Sequence, residues 1–229
     1  MTRRPTRSAG FSLIEVMFVT AILAGMLVLF SETFLRTQGL HDDSSMQARA
    51  EEDARLSLAV LGKVLLGADF ESLQVLRAGA PAPVPYSGTA YLAFLRQSPG
   101  PCDEIRIRRI ASWTLAGTVL GNEERIFWRA SGRAVDGVAT PGEIVWSHDG
   151  IDVVLARNVS AREPLVDANA DGEQSGTENF TDVNGNGRWD PGFAVSLVGG
   201  QVRLWVTAFA TYDRRITFAS FDNTWTLRN

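Results

Sequence analysis

Hydrophobic residues follow two different patterns along the chain, and the first of them predicts a long helix. Residues 11–30, FSLIEVMFVTAILAGMLVLF, are apolar except for Ser12, Glu15 and Thr20, and about 20 such residues span a bilayer as a helix. Over residues 31–67 apolar positions recur at intervals of three and four, which is typical of an amphipathic helix. The residues of this apolar face are Ala50, Ala54, Leu58, Leu61 and Leu65. We therefore expect one helix over residues 11–67, with a membrane anchor at 11–30 and an amphipathic half at 31–67.

The second pattern is the alternation of apolar and polar residues that indicates β-strands. After a linker rich in Pro, Gly and Ala at 78–88, nine short runs have strand composition. They are TAYLAFLR, DEIRIRRI, TVLG, RIFWRA, GEIVWS, IDVVLAR, FAVSLVG, QVRLWVTAFAT and RITFAS. Turn signals at Ser98-Pro99-Gly100, Gly121-Asn122 and Gly199-Gly200 separate some of them. The sequence predicts an α+β protein in which a mostly antiparallel sheet, within a head of residues 68–229, packs on the amphipathic half of the helix.

The short segment before the apolar run, MTRRPTRSAG, determines how that run can be interpreted. Its arginines favour the cytoplasmic side, so the head is expected outside the cytoplasm. A secretory signal would end in a small-residue cleavage site, but this apolar core continues into SETFLRTQGLHDD without one. A plain membrane anchor leaves Glu15 unexplained, because a carboxylate at that depth costs roughly 2.5 to 3.5 kcal/mol.

The residues GFSLIEVM combine a glycine, an aromatic first residue of the helix and a glutamate five positions after the glycine. Gly10, Phe11, Leu13 and Glu15 match the G-F-x-L-x-E signature, so the chain resembles the type IV pilin and type II secretion pseudopilin family. The resemblance implies that a prepilin peptidase removes residues 1–10 and methylates Phe11. It also implies an inner-membrane, single-pass protein that joins other pilins through its helix at an inner-membrane assembly platform. Its destination would be a periplasmic pseudopilus or a cell-surface pilus.

In that family the glutamate is thought to attract the N-terminal amine of a neighbouring subunit. Applied to Glu15, such a buried pair would set the axial register of the subunits more than it would add stability. The alternative is a lone glutamate near the start of a plain anchor, reaching to the interface. Residues 11–50 contain no proline, so Gly25 is the weakest helical position. The size of the head and its tryptophan-containing strands favour a minor subunit.

Between Val166 and Phe193 the alternation stops and the sequence becomes acidic, DANADGEQSGTENFTDVNGNGRWDPG. Oxygen-bearing residues at positions one, three, five, nine and twelve of a 12-residue loop, with glycine at six and a backbone carbonyl at seven, are typical of EF-hand-type calcium loops. The first loop supplies Asp167, Asn169, Asp171, Glu173 (by its carbonyl), Ser175 and Glu178. The second supplies Asp182, Asn184, Asn186, Arg188 (by its carbonyl) and Asp190, but has no closing carboxylate. We expect Ca²⁺ as the cofactor of the loop at 167–193, and a disordered acidic loop is the alternative.

Composition narrows the remaining function classes. The net charge is −4, and the arginines are dispersed instead of forming the stripe that a nucleic acid requires. Cys102 is the only cysteine, and His41 and His148, expected on the surface, do not have zinc-ligand spacing. No nucleophile has an activating context, so we expect a structural subunit and no enzyme. A membrane-anchored, exported calcium-binding adhesion module and a tethered hydrolase are the alternatives. The sequence does not distinguish a pilus from a pseudopilus or a DNA-uptake system.

Overall fold

The computed structural model describes residues 12–69, 72–76, 84–85, 103–133, 135, 138, 140–163, 165, 176, 178–183, 187–198, 201–213 and 215–226. Within these residues the chain forms one helix and nine β-strands. The chain divides into two compact units, the first ending at Ser44 and the second beginning at Ser45. The fold is α+β, as the two hydrophobic patterns predict.

Helix α1, Leu13–Leu65, is 53 residues long and lies within the predicted range of 11–67. In the first unit its large apolar side chains are exposed from Leu13 to Phe30. Two threonine hydroxyls in this unit, those of Thr20 and Thr33, donate to the carbonyls of Met17 (3.0 Å) and Leu29 (2.8 Å). These threonine hydroxyls therefore find their hydrogen-bond acceptors in the backbone of the same helix. Of the residues that the structure describes, α1 alone is long and apolar enough to cross a membrane.

The strands of the second unit are all paired antiparallel. They are β1 (Gln74–Leu76), β2 (Val84–Pro85), β3 (Glu104–Thr114), β4 (Gly117–Ala130), β5 (Pro141–His148), β6 (Ile151–Ser160), β7 (Phe193–Val198), β8 (Gln201–Tyr212) and β9 (Arg215–Thr226). The sheet order is β2-β1-β3-β4-β5-β6-β8-β7, and β9 also pairs with β8. Because β9 follows β8 along its full length, β6 and β7 share the other edge of β8.

The main core lies between the last five turns of α1 and one face of the sheet. All five residues of the predicted apolar face are buried in the structure, which confirms that prediction. The helix contributes Leu58, Leu61 and Leu65, and the sheet contributes residues from the six strands β3 to β8. These are Ile105, Ile107, Ile126, Trp128, Ile144, Val159, Phe193, Val195, Val202, Leu204 and Val206.

Two glycines allow tryptophan rings to pack against the backbone. A Cβ atom at Gly62 of α1 would lie 2.6 Å from Nε1 of Trp225, and one at Gly142 of β5 would lie 2.1 Å from Nε1 of Trp128. Both distances are shorter than any ordinary carbon contact, so each ring occupies the space that a side chain would otherwise fill. Gly62 was not among the predicted core residues, because a glycine adds nothing to a hydrophobic pattern.

The turn predicted at Gly121-Asn122 is wrong. TVLG and RIFWRA form one continuous strand, β4, in which Gly121 and Asn122 together lie opposite the single residue Arg109 of β3. The extra residue is a β-bulge, and a glycine suits a bulge for the same conformational reason that it suits a turn. Segment 89–96 and the turns at 98–100 and 199–200 lie outside the described residues.

A turn that the prediction did not include joins β5 and β6. Asp149 and Gly150 have φ angles of 49° and 78°, and His148 pairs with Ile151 across them. An Asp-Gly pair with two positive φ values is the two-residue type I′ turn that matches the twist of a hairpin. Strand β2 was also not predicted, since Val84–Pro85 lies inside the apparent linker. Its pairing with Gln74 and Val75 places a proline on an edge strand, where a proline is tolerated.

Several of the dispersed arginines of the strands pair with carboxylates on the same or a neighbouring strand. Glu104 on β3 accepts hydrogen bonds from Arg125 Nε and Nη2 at 2.8 Å each, and from Arg106 Nε at 2.8 Å. Burial alone would raise the pKa of Glu104, but the hydrogen bonds and charges of Arg125 and Arg106 outweigh it and hold that pKa below its ordinary value. Glu104 is therefore ionised in the folded protein at neutral pH.

Candidate functional site

The start of α1 is fixed by two reciprocal hydrogen bonds. Ser12 N donates to Glu15 Oε2 at 3.0 Å, and Glu15 N donates to Ser12 Oγ at 3.3 Å. This arrangement is a capping box, in which the first and fourth residues of S-x-x-E satisfy each other's backbone N–H groups. Glu15 therefore has a local role in the single chain that the sequence reasoning missed, although the Ser12–Glu15 spacing signals it. Gly10 and Phe11 lie outside the described residues.

No charged residue lies between Glu15 and Glu32. After this apolar stretch, Glu32 and Arg36 form an ion pair one turn apart, with Nη2 and Oε1 separated by 2.6 Å. Both side chains are exposed, so the pair adds only a few tenths of a kcal/mol. The exposed apolar stretch is thus bounded by a capped carboxylate at one end and a solvated ion pair at the other.

The first predicted calcium loop is described only at its last ligand. Glu178 is buried, with 8% of its surface exposed. A carboxylate is rarely buried without a partner, so this burial identifies Glu178 as an anchored residue of the insertion. The other predicted ligands of this loop, Asp167, Asn169, Asp171, Glu173 and Ser175, lie outside the described residues.

Of the residues that define the pattern of the second predicted loop, the structure describes Asp182, Gly187, Arg188 and Asp190. Gly187 N donates to Asp182 Oδ2 at 2.7 Å, and Gly187 has a φ angle of 76°. A sharp turn at position six that returns the chain to the carboxylate of position one is what an EF-hand-type loop requires. Arg188 is exposed and Asp190 is buried, whereas Asn184 and Asn186 lie outside the described residues.

A buried glutamate at the entrance of the insertion holds the second loop at both ends. Glu163 Oε1 accepts a hydrogen bond from Val183 N at 2.9 Å, and Glu163 Oε2 accepts one from Asp190 N at 3.0 Å. Its backbone adds two more bonds, because Glu163 N donates to Asp190 O and Trp189 Nε1 donates to Glu163 O, each at 2.9 Å. Sequence reasoning missed Glu163, since no local pattern links a residue to amides 20 and 27 positions later.

The four hydrogen bonds that Glu163 makes to residues 183, 189 and 190 are called the clamp below. Next to the clamp, a buried ion pair connects the entrance of the insertion to the sheet. Arg162 Nη2 lies 2.8 Å from Asp103 Oδ1, and Asp103 Oδ2 accepts a hydrogen bond from Val195 N at 3.0 Å. The Asp103 side chain is fully buried. Removing one member of such a pair leaves a buried charge uncompensated, so these residues fix where the insertion leaves the sheet.

Among the residues that the structure describes, no group of three or more His, Cys, Asp or Glu side chains is arranged to hold a metal ion. His41 is exposed on α1, and the His148 ring packs against Trp146 at a tilt of 30°, with centroids 4.1 Å apart. The described part of the second loop nevertheless fits a calcium loop at positions one and six, which are the two positions that define its turn.

Comparisons with known proteins were made at the level of families, single proteins and folds. No protein-family model, curated protein or solved structure matches the chain.

Proposed function

We propose that this chain is a structural subunit of the type IV pilin and type II secretion pseudopilin class, and that it assembles into, primes or caps such a filament. The observation that carries the proposal is α1, a single 53-residue helix with an exposed apolar start and a buried apolar end. Its partners are a prepilin peptidase, the helices of other pilins, an inner-membrane assembly platform and the membrane.

The exposed apolar residues at the start of α1 have to be shielded from water. Side chains from Leu13 to Phe30 are exposed, and each Å² of apolar surface left in water costs about 25 cal/mol. A membrane provides the cover before assembly, and a bundle of neighbouring helices provides it in a filament. A plain anchor accounts for the first environment, whereas a pilin-like subunit uses both.

Glu15 distinguishes these two accounts, because a plain anchor needs it only as a cap. A carboxylate accepts about four hydrogen bonds, and the capping box uses one of them. The same side chain can therefore hold Ser12 N and still receive the N-terminal amine of a neighbouring subunit. In that arrangement the charge of Glu15 sets the register, while the cap orients it.

The first test is the N-terminus of the protein in the membrane fraction, measured by intact mass with and without the host prepilin peptidase. We expect a start at methylated Phe11 that depends on the peptidase, and Gly10→Leu should leave the leader attached. Gly25→Ala is the matched control, because a Cβ atom there would meet nothing within 4 Å. An uncut Met1, or a cut beyond residue 30, would contradict the proposal.

The second test separates charge from capping. Glu15→Gln keeps an N3 residue that supports a capping box but removes the charge, and Ser12→Ala weakens the box but keeps the charge. We expect Glu15→Gln and Glu15→Ala to insert in the membrane and to be missing from sheared filaments, whereas Ser12→Ala is incorporated. If Glu15→Gln is incorporated at the wild-type level, the register hypothesis is wrong.

We also propose that the insertion binds Ca²⁺ and is ordered by it. The Gly187 turn onto Asp182 and the clamp by Glu163 support the second loop, and the burial of Glu178 supports the first. The affinity expected for such an extracytoplasmic site is roughly 0.1 to 1 mM. At a free Ca²⁺ concentration ten times the dissociation constant, binding would raise the free energy of unfolding by about 1.4 kcal/mol.

The calcium proposal is tested on the full chain after removal of metal by a chelator. Isothermal titration with Ca²⁺ and with Mg²⁺ should give binding of Ca²⁺ that Asp167→Ala and Asp182→Ala each weaken. Asp213→Asn removes an exposed carboxylate from the turn after β8 and should bind as the wild type does. Absence of Ca²⁺ binding by the wild type, or equal weakening in Asp213→Asn, would refute the proposal.

A further inference from the structure

A pocket of about 320 Å³ lies beside the end of β4, away from the predicted calcium loops. Its lining residues come from the segment after β4, the start of β5, the end of β6 and the strand β8. Phe209 of β8 is buried and gives the pocket an apolar base. Small-molecule sites have volumes of about 300 to 1,000 Å³, so this pocket has room for one small ligand.

An irregularity in β6 brings two polar side chains to the pocket. Arg157 and Asn158 together lie opposite the single residue Glu143 of β5, which makes this a β-bulge. Asn158 has a φ angle of 56°, in the left-handed region that asparagine adopts more readily than most residues. Successive side chains of a regular strand point to opposite faces, whereas Arg157 and Asn158 line the same pocket.

Two guanidinium groups line this pocket without a counter-charge. Arg133 and Arg157 are both exposed, and neither side chain forms an ion pair, a hydrogen bond or a ring contact within the part of the chain that the structure describes. Other arginines of the sheet do have carboxylate partners, namely Arg106, Arg109, Arg125, Arg129 and Arg203. Like charges that share a pocket repel each other, and a bound anion would remove that repulsion.

Glu143 provides the one carboxylate among the described lining residues, and it is already paired. Its Oε1 atom accepts hydrogen bonds from Arg129 Nε at 3.1 Å and from Arg129 Nη2 at 2.5 Å. Arg129 also donates to Asp152 Oδ2 at 3.0 Å, but neither Arg129 nor Asp152 lines the pocket. The guanidinium groups of Arg133 and Arg157 therefore remain for a ligand.

We propose that this pocket binds a small dianion, whose oxygen atoms accept hydrogen bonds from both Arg133 and Arg157. A guanidinium group donates two parallel hydrogen bonds to a carboxylate or a phosphate group. The Asn158 amide adds an uncharged donor, since it makes no hydrogen bond to the described residues. A cationic ligand would be repelled by both arginines. Phosphate monoesters and small dicarboxylates share the required chemistry, and the test distinguishes these two sources.

The test uses the full chain in an uncharged maltoside detergent, because the phosphate groups of lipids would compete. Ca²⁺ is left out because it precipitates phosphate, and the described pocket residues lie outside the insertion. Isothermal titration is performed with glycerol 3-phosphate, succinate, acetate and glycerol. We expect at least one dianion to bind with a dissociation constant below about 1 mM, and about tenfold or more tightly than acetate. Tighter binding of glycerol 3-phosphate would indicate a phosphorylated ligand, and tighter binding of succinate would indicate a dicarboxylate.

Variants assign the binding to the pocket. Arg133→Gln and Arg157→Gln each remove one charged donor and should weaken dianion binding at least about fivefold. Arg108→Gln is the matched control, because Arg108 is an exposed arginine on β3 that does not line the pocket. It makes the same change in net charge and should bind the dianion as the wild type does. All three side chains are exposed, so the substitutions preserve the fold.

The proposal is overturned if neither dianion binds to the wild type below about 1 mM, or if acetate or glycerol binds as tightly as the dianions. Equal weakening in Arg108→Gln and the two pocket variants also overturns it, because the effect would then depend on net charge alone. Unchanged binding by both pocket variants has the same consequence. The assay uses purified protein and requires no filament, so its outcome is independent of the pilin-like function.

Discussion

The contact between Gly142 and Trp128 provides a sharp test of how β4 and β5 are paired. A Cβ atom at Gly142 would lie 2.1 Å from Nε1, 2.2 Å from Cε2 and 2.5 Å from Cζ2 of the Trp128 ring. Ordinary van der Waals contact begins at 3.4 Å, so Gly142→Ala requires a displacement of about 1.3 Å. The ring belongs to the main core and is 9% exposed, so it cannot move this far without disturbing its neighbours.

The decrease in the free energy of unfolding expected for Gly142→Ala is the sum of three contributions. Overpacking a core costs about 1 to 3 kcal/mol. The long hydrogen bond from Trp128 Nε1 to Val159 O, 3.4 Å, adds about 0.5 kcal/mol if it breaks. Replacing a strand glycine by alanine returns about 0.5 to 1 kcal/mol, because it lowers the entropy of the unfolded chain. We therefore expect Gly142→Ala to lower the free energy of unfolding by about 0.5 to 3 kcal/mol.

Urea titration of the full chain, followed by tryptophan fluorescence, measures this loss. Gly121→Ala is the matched control on β4, since its Cβ atom would lie 3.5 Å from Arg109 O, and it should change stability by less than about 0.5 kcal/mol. Trp128→Phe should partly relieve the clash, so the double variant should lose less than the sum of the single variants. A Gly142→Ala protein as stable as the wild type would refute the contact.

Three further predictions concern charge, turn geometry and the clamp. The pKa of Glu104 is lowered on folding, so its stabilisation is present above the unfolded pKa and disappears as the pH falls through the folded pKa. Between about pH 6 and pH 3 the wild type should therefore lose more stability than Glu104→Gln, and equal losses would contradict this. Gly150→Ala places a side chain at φ 78° and should cost about 1 kcal/mol in urea titration, whereas unchanged stability would argue against the turn. Glu163→Gln replaces one acceptor oxygen by a donor and should speed hydrogen exchange at the Val183 or Asp190 amide, and unchanged protection would rule out the clamp.

The coarse fold was predictable from the sequence because it depends on periodicity. The intervals of three and four between Ala50 and Leu65 indicate a helix face, and that face is buried. Alternation in β3, where Ile105 and Ile107 are buried and Arg108 is not, indicates a strand with one covered face. Both patterns can be recognised from residues close together in the sequence. The structure contains the helix and the strand that they predict.

Features that depend on contacts between distant residues were not predictable in the same way. Gly121 has the sequence signal of a turn, but only the pairing with β3 shows that it lies at a bulge. Glu163 follows Arg162 as an ordinary charged residue, and its role depends on two amides in a loop that returns to it. Of the predicted calcium ligands, Glu178, Asp182, Arg188 and Asp190 are described, and calcium binding itself stays a prediction.

The capping box at the start of α1 changes how the central glutamate should be interpreted. Sequence reasoning gave Glu15 one role, an intermolecular charge pair, because a carboxylate in an apolar helix otherwise lacks a reason to be there. The hydrogen bonds with Ser12 give it a second role within one chain. The cap fixes the rotamer of the glutamate and places its charge at the helix start, where the helix dipole also favours it. A preset carboxylate loses less conformational entropy when a neighbouring amine binds, so the cap would strengthen the proposed register contact. Ser12→Ala removes the hydroxyl that accepts from Glu15 N but keeps the Ser12 N–H that holds the carboxylate, so it should be incorporated close to the wild-type level. Incorporation clearly above that level would show that the two roles compete.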